Sequence, residues 1–105
     1  MANIQFNYLY RDAGNYKIYA SVIFANPGNI SLTELSALIQ SKLIDQIWFY
    51  AGDWRLPDLR SETFNDDIDP AWHEFENIEY IEEAANATIN LPDFTGRIKN
   101  TNWIY

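Results

Sequence analysis

The stretch IQFNYLYRDAGNYKIYASVIF, residues 4–24, decides the fold, because it reads as two strands joined by a tight turn. Large apolar side chains occupy every second position from Ile4 to Tyr10, and the same alternation returns from Tyr16 to Phe24. A period of two is typical of a strand that buries one face. The stretch therefore predicts an antiparallel β-hairpin.

The turn of this hairpin is expected to be a three-residue loop with Gly14 at positive φ, since glycine adopts that conformation without steric cost. If Arg11 pairs with Asn15, apolar residues meet on one face of the hairpin, and a slip of one residue would destroy the match. The predicted pairs are Tyr10 with Tyr16, Tyr8 with Ile18, Phe6 with Ala20, and Ile4 with Val22.

A helix is predicted directly after the hairpin, from about 32 to 43. Ser31 and Glu34 have the spacing of a capping box, and Ile30 and Leu35 that of a hydrophobic staple. Apolar residues then recur at helical spacing and form the expected buried stripe. They are Leu32, Leu35, Leu38, Ile39 and Leu43.

Further along the chain, residues 46–50 predict a third strand and residues 51–66 a loop. Residues 73–81 alternate poorly, whether they are read as helix or as strand; their aromatic and β-branched content favours a strand. The fold class is thus α+β: a mainly antiparallel sheet of three to four strands with one helix packed on one face. Residues 1–105 are expected to form a single domain.

The other face of the sheet needs a cover, because one helix covers only one face. In the third strand, Trp48 and Tyr50 point away from Ile47 and Phe49, so an aromatic patch would stay open to a partner. The tail from about 85 is expected to pack across this second face. Its apolar candidates are Ile89, Leu91, Phe94 and the run 103–105.

The charge distribution is uneven. The net charge is −8, and nine of the 15 acidic residues lie at 62–83, where no basic residue occurs. The other six are balanced by seven basic residues. An acidic block repels phosphates, so direct binding to nucleic acid or to an anionic membrane is not expected.

The composition excludes further classes. The chain has no cysteine, which rules out disulfides and thiolate metal sites and fits a reducing compartment. The N-terminus lacks the basic and apolar regions of a secretory signal. No run approaches the roughly 20 apolar residues that span a bilayer. A cytoplasmic location is therefore expected.

His73, the only histidine, lies beside Trp72 and Glu74 in the acidic block. Neighbouring residues of a strand point to opposite faces, so His73 and Glu74 would not share a ligand. Zinc sites commonly need more than one nitrogen or sulfur ligand. Neither a metal nor another cofactor is expected, and the His73 ring is predicted to be structural, hydrogen-bonded beside Trp72 or Phe75.

Three segments carry a resemblance: YRDAGNYK at 10–17, Val22 to Pro27, and WHEFE at 72–76. In this order they resemble a family of small bacterial proteins to which no activity is assigned. The resemblance covers about residues 5–80 and implies no substrate, cofactor or catalytic residue.

The favoured function is non-enzymatic binding of another protein, one that carries basic charge, through the acidic segment 62–83, the aromatic sheet face, or both. The candidate binding residues are Trp48, Tyr50, Trp54, Trp72, His73, Glu74, Glu76 and Glu79. Two alternatives stay open: a small enzyme or ligand-binding domain around His73 and nearby carboxylates, and an acidic mimic of nucleic acid that inhibits a DNA- or RNA-binding protein.

Overall fold

The computed structural model describes residues 2–60, 65 and 67–103. These residues form a four-stranded sheet and two helices, which confirms the predicted α+β class. The elements are β1 (Asn3–Arg11), β2 (Lys17–Phe24), α1 (Leu32–Lys42), β3 (Trp48–Phe49), a 3-10 turn (Ala51–Trp54), β4 (His73–Ile81) and α2 (Leu91–Lys99). All neighbouring strands are antiparallel, in the order β2-β1-β4-β3.

The hairpin of β1 and β2 is confirmed, but its predicted register is wrong by two residues. Phe6 pairs with Val22 rather than Ala20, and Arg11 with Lys17. Because side chains alternate with period two, this shift leaves the same apolar residues on the same face.

The turn explains the shift. Asp12 donates its N–H to the Tyr16 carbonyl and accepts the Tyr16 N–H on its carboxylate, so the loop is Ala13 to Asn15. Asn15, with φ 65°, holds the left-handed position, and no glycine among the described residues has positive φ. The expectation for Gly14 is therefore wrong: asparagine also tolerates this conformation, and here it does so.

Helix α1 begins as predicted. The Ser31 side chain accepts the Glu34 N–H at 3.1 Å, and Leu35 and Ile39 are buried. Leu43 follows the helix in extended conformation and is also buried.

Helix α2 was not predicted from the sequence. Asn90 caps it by accepting the Asp93 N–H, and Leu91, Phe94 and Ile98 form a buried stripe. This stripe packs on the same sheet face as α1, where Phe94 stacks on Phe24 at 4.4 Å between ring centroids. The prediction that Leu91 and Phe94 cover the second face is therefore wrong, and two helices rather than one cover the first.

The centre of the second face of the sheet carries polar contacts instead. Asn7, only 8% exposed, donates to Asn77 at 2.6 Å and accepts from Ser21 and Gln5. These bonds satisfy a buried amide across the three strands β2, β1 and β4. A hydrogen-bonded network thus occupies the centre of this face, while Trp48, which pairs with Glu74 at the β3 end, contacts Trp72.

Strand β4 has the predicted bounds, 73–81. Its pairing with β1 shifts where Asn7 pairs with Asn77 but the next residue, Tyr8, pairs with Phe75. Glu76 is therefore an extra, bulged residue. The bulge brings Phe75 and Ile78 to the same face, which explains why neither simple alternation fitted the sequence. β3 is shorter than the predicted 46–50, since only Trp48 and Phe49 belong to it.

Several sequence predictions fall outside the described residues: Glu62 and Asp66 of the acidic segment, and Ile104 and Tyr105 of the tail. Within the described part of the chain, neither helix has the length and apolar character that crossing a membrane requires.

Candidate functional site

His73 lies in the core rather than on the surface. It is the first residue of β4, only 1% exposed, and Tyr8, Tyr10 and Phe49 contact it at ring-centroid distances of 6.0, 5.1 and 6.1 Å. Its Nε2 accepts the Leu59 N–H at 3.0 Å. The ring is thus hydrogen-bonded, as expected, although its partner is the loop backbone, and the contacting rings are not those of Trp72 or Phe75.

Burial sets the protonation of His73. Desolvation lowers its pKa to about 4; Asp58, whose Oδ1 lies 3.5 Å from Nε2, opposes this shift, and Arg60 adds to it. The imidazole is therefore neutral at pH 7. Because Nε2 is the acceptor, the proton sits on Nδ1, which is buried and has no hydrogen-bond partner among the described residues.

This arrangement leaves His73 poorly placed for catalysis. A general base needs a free lone pair within reach of the proton that it removes. The Nε2 lone pair is already held by Leu59. The carboxylate of Asp58 is paired with Arg60 at 2.7 Å, which lowers the pKa of Asp58. The cluster pins the loop to the sheet.

Two tyrosine hydroxyls anchor the same loop. Tyr8 donates to the Pro57 carbonyl at 2.7 Å, and Tyr10 to the Pro70 carbonyl at 2.8 Å. Burial raises the pKa of both hydroxyls, so they remain protonated donors. The loop that precedes β4 is thereby fixed at both ends.

Glu74 points to the opposite face of the sheet, as the strand prediction requires. Its carboxylate accepts from Arg11 Nε at 2.7 Å, so the charge of Glu74 is neutralised inside the domain. Nearby, Asp69 accepts the backbone N–H groups of Ala13 and Asn65, both at 2.9 Å. These two acidic residues stabilise the hairpin tip.

The other acidic residues of β4 and its end differ from these. Glu76, Glu79, Glu82 and Glu83 are exposed, and no basic side chain of the described chain pairs with them. Glu79 receives one long contact, 3.4 Å from Asn7 Nδ2. Four uncompensated carboxylates are therefore distributed along β4 and the residues directly after it.

The predicted aromatic residues separate into different clusters. Trp48 and Trp72 contact each other at 5.3 Å and, with Glu74, line a cavity of about 460 Å³ beside the hairpin tip. Tyr50 instead contacts Trp103 at 5.5 Å. Trp54 is fully buried and stacked on Phe49 at 4.9 Å, which makes it a core residue rather than a surface one.

Sequence reasoning missed a groove between α1 and β4. It has a volume of about 590 Å³. Its helix side consists of small and polar residues, and its strand side runs from Phe75 to Ile78. The lining residues on the helix are Leu32, Thr33, Ser36, Ala37 and Gln40. The polar but weakly charged face of α1 was visible in the sequence; its neighbour across the groove was not.

Metal binding has no candidate cluster among the described residues, where no three His, Asp or Glu side chains converge. A scan against protein-family models, a search of the curated proteins and a search of the solved structures found no match to the chain. The resemblance drawn from three sequence segments therefore stays a prediction, and the geometry of the described residues is what bears on function.

Proposed function

We propose that this protein is a non-enzymatic binding module for a basic partner protein, and that strand β4 carries the contact. The observation that supports the proposal is the contrast between two sets of acids in one segment. Glu74 is paired with Arg11 and Asp69 accepts two backbone N–H groups, whereas Glu76, Glu79, Glu82 and Glu83 face solvent and pair with no basic side chain of the described residues.

These four carboxylates affect both the stability of the fold and the approach of a partner. Like charges close together repel one another, so they lower rather than raise the stability of the fold. The same field attracts a cationic partner and speeds its encounter, which raises the association rate. An exposed strand with uncompensated charge fits a steering surface.

The alternative built on His73 receives less support, because its Nε2 is occupied and its ring is buried. The nucleic-acid mimic would also bind a basic protein. It differs from the proposed function only in that this partner normally binds DNA or RNA. Competition against a second polyanion separates the two: duplex DNA should displace a mimic's partner at lower concentration than heparin does, whereas the two polyanions should displace other basic partners equally well.

The test compares two variants with the same loss of charge. Glu76→Gln with Glu79→Gln removes two charges from β4, whereas Asp45→Asn with Asp93→Asn removes two exposed charges elsewhere. Proteins captured from native lysate are quantified at 50 and 300 mM salt, where the Debye length falls from about 14 to about 6 Å.

We expect the wild type and the Asp45/Asp93 variant to capture the same set of basic proteins at 50 mM salt. The Glu76/Glu79 variant should lose this set, and so should all forms at 300 mM. Equal capture by both variants, insensitive to salt, would show that the acidic strand is not the contact.

A further inference from the structure

Strand β4 has an outer edge that no other strand of the described residues covers beyond its first residues. β3 pairs only with His73 and Glu74, and the Phe75 N–H reaches the Ile47 carbonyl at 2.9 Å. Within the described chain, residues 76–81 have β1 on one side and no strand on the other. An open edge is a template for another strand.

The backbone groups that face outward follow from the ladder. Asp12 and Tyr16 form a hydrogen-bonded pair, so the even-numbered residues of β1 bond to β2 and the odd-numbered ones to β4. Glu79, opposite Gln5, therefore bonds to β1. The N–H and C=O groups of Ile78 and Tyr80 then point away from the sheet.

The opposite edge of the sheet is blocked at the Ile23 end of β2, in contrast to the end of β4. On β2, the Ile23 carbonyl accepts the N–H groups of Asn86 and Ala87, and the Ile23 N–H donates to the Asn86 side chain at 2.8 Å. Lys17, at the other end of β2, is exposed. Lysine on an edge strand is a recognised defence against pairing.

The groove beside the open edge has room for side chains of an added strand. Its helix wall presents Ala37 and Ser36, and its strand side presents Phe75 and Ile78. Tyr80 marks one end, where its hydroxyl accepts the Leu32 N–H at 3.3 Å. A strand laid along β4 would direct every second side chain into this groove and the others to the Glu79 side.

A second copy of the chain is a poor occupant. Pairing two β4 edges would bring Glu76 and Glu79 of one copy beside those of the other, between chains of net charge −8. Like charges directly opposite on neighbouring strands are destabilising. The charge of the edge instead favours a cationic strand.

We infer that the edge of β4 and its groove bind an extended basic segment of a partner protein, which adds a fifth strand to the sheet. Small apolar or β-branched side chains of this segment occupy the groove beside Ala37 and Ile78. Lysine or arginine at the alternate positions reaches Glu79, and Glu76 adds charge at the rim of the groove. This inference rests on the proposed function and specifies the form of its ligand.

The probe is a labelled heptapeptide that alternates lysine and valine, and its binding is followed by fluorescence anisotropy at 50 mM salt. One control peptide has the same composition with the lysines grouped together. A second keeps the alternating sequence but is N-methylated at every second amide, in both possible phases. N-methylation removes backbone donors and leaves the charge unchanged.

The alternating peptide should bind at least tenfold more tightly than the grouped peptide and than one of the two N-methylated peptides. Its binding should slow hydrogen exchange of the Ile78 and Tyr80 amides. Ala37→Gln, which narrows the groove, should weaken binding of the alternating peptide. Ser41→Gln, at an exposed position outside the groove lining, should leave its binding unchanged.

The outcomes separate this inference from the proposed function. Equal binding of all four peptides that Glu76→Gln with Glu79→Gln abolishes would overturn strand addition and leave acidic-surface binding intact. No binding of any basic peptide, together with unchanged lysate capture in that variant, would overturn both. Self-association through β4 in sedimentation would also contradict the inference.

Discussion

The protonation of His73 gives a quantitative test of the structure. The ring is 1% exposed and its pKa is lowered to about 4, mainly by desolvation. In the unfolded chain the pKa returns to about 6.5. Between these two pKa values the unfolded chain binds a proton at His73 and the folded protein does not, so the free energy of unfolding increases with pH.

The contribution of His73 to stability therefore has a definite direction and size. The contribution of His73 is fully present above about pH 6.5, declines as the pH falls, and is exhausted below about pH 4. At about 1.36 kcal/mol per pKa unit, the total loss is roughly 3 kcal/mol, of which about 2 kcal/mol is lost by pH 5. Few carboxylates titrate above pH 5, so a change in stability between pH 7 and pH 5 can be assigned to His73.

The assay is urea unfolding of the wild type and of His73→Gln at pH 7, 6 and 5. Glutamine does not titrate, and its carbonyl can still accept the Leu59 N–H. The variant is expected to be less stable at pH 7, because the aromatic contacts are lost, but to show a smaller decline towards pH 5, by about 2 kcal/mol.

An NMR titration of the His73 ring protons measures the folded-state pKa independently. Parallel pH profiles for the two proteins, or a measured pKa of 6 or above, would refute the burial argument. In that case the ring would be accessible to water, and the ligand-binding alternative around His73 would regain support.

Two further substitutions test the hairpin and the second sheet face by urea unfolding. Asn15→Ala should lower the free energy of unfolding by about 1 kcal/mol, since alanine is strained at φ 65°, whereas Asn15→Gly and Gly14→Ala should change it by less than about 0.5 kcal/mol; a larger loss at Gly14 would contradict the observed turn. Asn7→Ala should cost about 1–3 kcal/mol, because it leaves Ser21 and Asn77 without their buried partner, and an unchanged midpoint would mean that water replaces the network without loss.

The hairpin shows which part of the fold a sequence can predict. Which side chains share a face of the hairpin depends only on the two-residue alternation, and this prediction is confirmed. Its register depends on which residue takes positive φ, and Asn15 and Gly14 are adjacent candidates. The Asp12 side chain closes the loop one residue later than expected, and a side chain's choice of partner is not encoded in periodicity.

Helix α2 was missed for a different reason. Its stripe has only three buried members, Leu91, Phe94 and Ile98, and a proline stands at its start. The signals for it existed: Asn90 is a good cap, proline is tolerated in the first helical turn, and Arg97 and Lys99 lie in the last turn. They were outweighed by the apparent need to cover the second sheet face, where the structure instead has the Asn7 network.

The candidate site combines what the sequence reveals with what only the fold supplies. The acidic block was visible in the sequence, but the block mixes acids that stabilise the hairpin tip with acids that have no basic partner in the described chain. Arg11 and Glu74 are 63 residues apart, so no local pattern could pair them. The groove likewise requires α1 to lie beside a strand that follows it by 30 residues. Because β3 begins at Trp48 and only Ile47 extends its contact, to Phe75, residues 76–81 of β4 have open hydrogen-bonding groups, uncompensated charge and an adjacent groove within the described chain. These three features coincide at one edge, and a basic strand satisfies all three at once.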